Sequence, residues 1–146
     1  MTNEEILEFN RGVIATFRAH GGVMPEGPFH GNPTLLMTAT GAKSSRPLTS
    51  PLTYSTDDDG ALIVMASAGG SPTLPSWAHN IRANPMVRLE VLDESYEARA
   101  VEARGAERVR VLAKMVEALP RFAEYQDAVE RVIPLFRLER VMPVRE

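Results

Sequence analysis

Apolar positions recur at helical spacing at the start of the chain, where Ile6, Phe9, Val13 and Phe17 follow Thr2 and Glu5, the pair of a capping box. The pattern predicts a helix over residues 3–20, stopped by Gly21-Gly22. "VMPEGPFHGNP" is too rich in Gly and Pro for helix or central strand. From Thr34 the period drops to two. "TLLMTAT" predicts a first strand, ended by "GAKSSRP", and "LTSPLTYST" a second, with Pro51 setting it at a sheet edge or a bulge. "DDDG" is a hairpin turn signal, and "ALIVMAS" is a third strand apolar enough to be buried on both faces.

Beyond it, "LPSWAHNIRANP" predicts a short helix, with Pro75 in its first turn and Asn84-Pro85 closing it. Trp77 and Ile81 stand four apart and share a face. In "MVRLEVLD", Val87, Leu89 and Val91 alternate with charged residues, and "ESYEARAVEA" returns as the second strand of a hairpin. "GAERVRVLAKMVEALP" is amphipathic, with Val109, Leu112, Val116 and Leu119 on one stripe. "RFAEYQDAVERVIP" continues as a shorter helix after Pro120, and "LFRLERV" is the last strand. Six short strands with turn-rich links predict an α+β fold built on a small antiparallel barrel rather than a doubly wound sheet.

Composition narrows the chemistry. The 146 residues form a single domain, residues 1–146, long enough to bury a core. A net charge of −3 gives no whole-protein affinity for nucleic acid. With no cysteine, thiol nucleophiles, disulfides and zinc-thiolate sites are excluded, and three scattered histidines do not make a metal site. The acidic start "MTNEEILEF" lacks the features of a signal peptide, and no apolar run reaches transmembrane length, so a cytoplasmic protein is expected.

Three segments are candidates for a site. "TGAKSSRP" joins two strands with two cations and two hydroxyls, a turn whose backbone N–H groups suit an anion; the alternative is a solvated hairpin turn. "SAGGSP" places glycines where a buried strand ends, allowing close backbone approach by a ligand, or simply a tight turn. The helix carrying Trp77, the only tryptophan, anchors on the barrel or walls a site, and His79 alone reads as a surface residue. Tyr125 offers a phenol on the late helix, where half-buried tyrosines are also common.

Together these segments resemble a known family. "TATGAKSSRPLTSPLTY" followed by "ALIVMASAGGSPTLPSWAHNIRANPMVRLEV" is similar to the deazaflavin-dependent nitroreductases of actinobacteria, with their G-x-K-S-G, P-L, A-S-x-G-G and P-x-W-x-x-N-(L/I)-x-A-N-P segments. The match is strong over residues 34–92 and looser through "EYQDAVERVIP".

The resemblance implies a split β-barrel with an N-terminal helix, a short helix after the third strand and C-terminal helices. It implies coenzyme F420, a 5-deazaflavin with a phospholactyl and oligoglutamate tail. Carried over by motif, cofactor contacts fall on Ala42, Lys43, Ser44 and Arg46; on Leu48, Thr49, Ser50, Pro51, Leu52 and Thr53; on Met65, Ala66, Ser67, Ala68 and Gly69; and on Ser76, Trp77, Ala78, His79 and Asn80.

The implied activity is hydride transfer from reduced F420 to an activated alkene, quinone or nitroaromatic, with Ser67 or Tyr125 stabilising the developing enolate. The acceptor is a small molecule, and the expected assembly is a monomer or homodimer. Four positions depart from the family pattern. Ser45 replaces a glycine, Leu48 an arginine, Ala68 a lysine and Phe122 a second tyrosine. Two tail contacts are therefore lost, with Arg46 nearby as a substitute. The uncharged Leu48 and Ala68 keep open a non-catalytic deazaflavin, flavin or haem binding protein, and the barrel also suits an FMN-dependent reductase.

Overall fold

The computed structural model describes residues 2–67, 73–128 and 132–141. In chain order the elements are α1 (Asn3–Ala19), β1 (Thr34–Thr40), β2 (Pro47–Thr53), β3 (Ser55–Thr56), β4 (Leu62–Met65), α2 (Ser76–Ala83), β5 (Met86–Val91), β6 (Glu94–Glu102), α3 (Gly105–Ala118), α4 (Arg121–Asp127) and β7 (Leu135–Arg140). No helix among the described residues is long and apolar enough to cross a membrane. The strands form one antiparallel sheet in the order β2-β1-β5-β6-β7-β4-β3.

The sheet has seven strands where the sequence predicts six, because "LTSPLTYST" breaks at Tyr54 into β2 and β3. That break shapes the molecule. β2 and β3 are the two edges of the sheet, yet only Tyr54 separates them along the chain. The sheet must therefore curl until its edges meet at Tyr54, and the result is a half-barrel. β2 pairs with β1 over seven consecutive residues, so Pro51 sits on an edge strand and not at a bulge.

Strand alternation sorts the apolar residues into layers. Leu35, Met37 and Ala39 of β1 face the barrel interior with Leu62 and Val64 of β4, Leu89 of β5, and Phe136 and Leu138 of β7. Ile63 and Met65 point the other way, into a cluster with Val111, Met115, Phe122, Ile133 and Leu135 beneath α3 and α4. β4 is thus buried on both faces, as its unbroken apolar run predicts. Leu36 meets Val13 and Phe17 of α1 in a third cluster.

Two helices differ from their predicted faces. In α1, Val13 and Phe17 are buried, but Ile6 and Phe9 are exposed because the sheet does not extend beneath the first half of the helix. In α3 the buried positions are Val111 and Met115, and Val109 faces solvent. Both α3 stripes have helical spacing. Leu112 and Leu119 of the predicted stripe pack partly buried against the same cluster, and Arg110 donates from Nη1 and Nη2 to the two carboxylate oxygens of Asp57, at 2.8 and 2.9 Å, which ties this side of the helix to the hairpin turn.

The N-terminal helix carries its predicted caps. The Thr2 hydroxyl accepts from the Glu5 N–H, and the Glu5 carboxylate accepts from the Thr2 N–H. At the other end the Gly22 N–H donates to the Phe17 carbonyl at 2.9 Å, with Gly22 at φ +87°. A Cβ there would lie 2.7 Å from the Leu92 carbonyl oxygen and 2.8 Å from its nitrogen. This glycine lets the chain leaving α1 press against the β5–β6 turn. Gly22→Ala should therefore lose about 2–4 kcal/mol, combining a strained φ with a backbone clash. Chemical denaturation measures this, and a loss below about 1 kcal/mol would mean the contact yields freely.

Asp57, only 4% exposed, ties the "DDDG" turn to α3 and β7. Hydrogen bonds from Arg110 are the main cause that holds its carboxyl at about 2, with help from the Asp58 N–H and from Arg137. A folded-state pKa below the ordinary 3.8 means that the native state binds fewer protons than the unfolded one. The contribution is complete above pH ~4 and is lost as pH falls towards ~2, by about 2 kcal/mol in all. Denaturation of the wild type at successive pH values should show that loss, and Asp57→Asn should show a flatter profile in the same window. Identical slopes in the two proteins would assign the acid sensitivity to other carboxylates.

Candidate functional site

The C-terminal ends of β1, β4 and β6 and the N-terminal ends of β2, β5 and β7 all lie at one end of the half-barrel, as antiparallel pairing requires. The loops at this end are the Gly41–Arg46 turn, the segment leading through α2, and the β6–α3 and α4–β7 connections. Tyr54, where the sheet edges join, follows the far end of β2 and stands level with Val64 of β4. Leu48–Ser50 of β2 and the end of β4 belong to the end that carries the loops. Candidate segments far apart in sequence meet there.

The turn is built by its own backbone. The Gly41 N–H donates to the Arg46 carbonyl at 2.8 Å, the Ser45 N–H to the Gly41 carbonyl at 3.0 Å, and the Arg46 N–H to the Ser44 hydroxyl at 3.2 Å. Ser45 takes φ +59°. This is a left-handed conformation that a glycine takes without strain and a serine at a cost of order 1 kcal/mol. The N–H groups of Lys43 and Ser44 have no acceptor among the described residues. Two adjacent free donors beside a lysine, all exposed, match what an anion requires.

Asn80 connects this turn to the tryptophan helix. Its side-chain oxygen, buried with the residue, accepts the Ala42 N–H at 2.9 Å. The same helix docks through Ala78 and Ile81 in the interior and through Trp77, whose ring meets Phe136 edge-on at 6.0 Å. Trp77 thus anchors α2 while remaining partly exposed. His79 and Ser76 face solvent.

Along β2 the candidates divide by face. Cross-strand partners share a face, so Leu48, Ser50 and Leu52, opposite Ala39, Met37 and Leu35, look into the barrel. Thr49, Pro51 and Thr53 look outward, and the Thr49 hydroxyl is bonded to that of Thr38 at 2.8 Å. Leu48 is 42% exposed at the mouth of the split, and its side chain lies over Gly41.

At the end of β4 the Ala66 side chain faces the interior, whereas Met65 is enclosed in the cluster beneath α3 and α4. Ser67 is buried, and Tyr125 packs on the Met65 cluster with its ring edge-on to Phe122 at 5.1 Å. The same cluster thus holds Tyr125 and Met65, two residues before Ser67. Ala68 and Gly69 lie outside the described residues.

One feature of this end was not expected from the sequence. Two adjoining cavities, of about 290 and 300 Å³, share Arg82, Glu102 and Arg104 in their walls. Nothing in the chain pattern joins a helix residue to one at a strand end twenty positions later.

Comparison with known proteins assigns the chain. A profile of the F420H(2)-dependent quinone reductase family matches residues 9–140. An F420H(2)-dependent quinone reductase of Mycobacterium tuberculosis is 40% identical over 111 residues, covering 74% of each chain. The solved structure of an F420-H2 dependent reductase, also 40% identical, covers 73% of this chain and 94% of its own with a TM-score of 0.67. A relative solved as a domain-swapped dimer is 33% identical, covers 94% of this chain and all of its own, and has a TM-score of 0.68. The chain belongs to the F420H(2)-dependent quinone reductase family, oxidoreductases whose cofactor is reduced coenzyme F420.

Proposed function

We propose that this protein reduces quinones with reduced F420 bound across the split of the half-barrel. The observation that carries the reading is the Asn80 bond to Ala42, which holds an exposed turn with two free N–H donors beside the tryptophan helix. The donor set fits the cofactor. An anionic tail needs cationic and N–H donors, which Lys43, Ser44 and Arg46 supply in the turn. A flat ring needs apolar wall and close backbone, for which Leu48, Ala66 and Trp77 are the candidates.

When bound, the reduced deazaflavin supplies a hydride from its C5. The chain's own work is to hold the acceptor at near-attack distance, exclude water and stabilise the charge that develops on the quinone oxygen. Ser67 and Tyr125 are the hydroxyl donors assigned to that oxygen, and one of them supplies its proton. Tyr125 packs against the cluster that holds Met65, two residues before Ser67, which supports assigning both to one site.

Fluorescence titration should show tighter binding of F420 than of FMN. Lys43→Ala should weaken F420 binding by about tenfold and flatten its dependence on salt, since one charge-assisted contact and its screening are removed together. FMN binding without deazaflavin binding would transfer the site to a flavin reductase. An unchanged Lys43→Ala would leave the tail to Arg46.

Leu48 offers a separate check, because its side chain lies over the turn where the family carries arginine. Leu48→Arg should tighten binding of the intact cofactor by up to roughly tenfold, with a smaller gain for the form lacking the phosphate and glutamates. Equal gains for both forms would show that position 48 acts on the ring.

A further inference from the structure

Among the described residues, the paired cavities at the end of β6 are lined by more cations than carboxylates. Both carboxylate oxygens of Glu102 are taken by Arg82, whose Nε and Nη2 donate at 2.9 and 3.0 Å. Arg104 reaches the same carboxylate through Nη2 alone, at 3.3 Å, and its side chain is otherwise 77% exposed. Arg108 has no carboxylate partner among the described residues. Its Nη2 donates to the Gln126 side-chain oxygen at 3.0 Å and to the Ile133 carbonyl at 2.7 Å, both neutral acceptors. Its Nε is buried with no acceptor among the described residues.

Among the described residues, three guanidinium groups and one carboxylate thus line this end, and Arg82 and Arg104 share that carboxylate. A partly buried cation without a counter-charge is unfavourable unless an anion completes it. The surplus stands in a chain whose overall charge is −3, so general basicity does not account for it. The geometry is also suited to a planar anion, because guanidinium groups present paired donors that match carboxylate oxygens.

Position points to the same ligand class. Arg82 stands two residues after Asn80 on α2, so one short helix links the Lys43 turn on one side to this basic cavity on the other.

We propose that the cavities bounded by Arg82, Arg104 and Arg108 are a carboxylate-binding subsite of the reductase. The inference rests on the reading above for the source of the carboxylate. One source is the glutamate tail of the cofactor, leading away from the Lys43 turn across α2. The other is an acceptor that itself bears a carboxylate.

The test begins with the chain free of cofactor. Calorimetric titration with a γ-linked triglutamate should show binding to the wild type. Arg104→Glu should weaken it at least about tenfold, the effect of replacing a charge-assisted contact by a repulsion. Arg104→Gln, which keeps the size without the charge, should fall between them, and the thermal midpoints of both variants should match the wild type.

In parallel, KM is measured for an uncharged and a carboxylated naphthoquinone. If triglutamate discriminates the variants, the tail is the occupant. If only the carboxylated quinone does, with the uncharged one indifferent, the acceptor is. Failure of both probes to distinguish wild type from Arg104→Glu overturns the subsite. Because triglutamate has no ring, that outcome is independent of the flavin titration, which tests the cofactor reading on its own.

Discussion

The two edges of the sheet are consecutive pieces of chain, and most of the architecture follows from that. β2 and β3 are separated by Tyr54 alone, so closure at one end of the barrel is enforced covalently and not by edge-to-edge pairing. The two edges are joined through Tyr54 and are not paired with each other, so the sheet curls without closing into a full barrel. The opening receives the β1–β2 turn, the end of β4 and the helix that follows it. The edge strand β2 thereby keeps an inward-facing row that no neighbouring strand covers.

Keeping the opening in shape falls to polar contacts elsewhere. Asn80 fixes the turn to α2 with a single buried hydrogen bond, and Trp77 fixes α2 to the barrel against Phe136. Behind the sheet, Arg110 ties α3 to Asp57 of the hairpin turn, with Val111 and Met115 packed in the cluster that holds Met65. Buried pairs of this kind specify orientation more than they add net stability.

The division of β2 by face alters the meaning of the family motif. Successive side chains of an extended strand point to opposite faces. Leu48, Ser50 and Leu52 face the barrel interior, and Thr49, Pro51 and Thr53 face outward, where only their backbone is shared with the inner side. Ser45 adds a local difference, since the chain places a serine at φ +59° where the family pattern has glycine.

Local pattern alone determined much of this protein. The capping box of α1, the helix stop at Gly21-Gly22, the doubly buried β4, the β5–β6 hairpin and the edge placement of Pro51 were all legible, because each depends on residues within a few positions of one another. The candidate turn, strand end and tryptophan helix were legible as segments, and their order along the chain carried the family resemblance. Tertiary structure decided what those segments face. Two α3 stripes have the same period, and packing on the cluster that holds Met65 puts Val111 and Met115 innermost, with Leu112 and Leu119 beside them. The break at Tyr54 follows from closing a seven-stranded sheet, not from any turn signal. Likewise Arg82, Glu102 and Arg104 become one cluster only when α2 is laid across the end of β6. Periodicity reports which residues share an element's face, and long-range packing alone reports what that face meets.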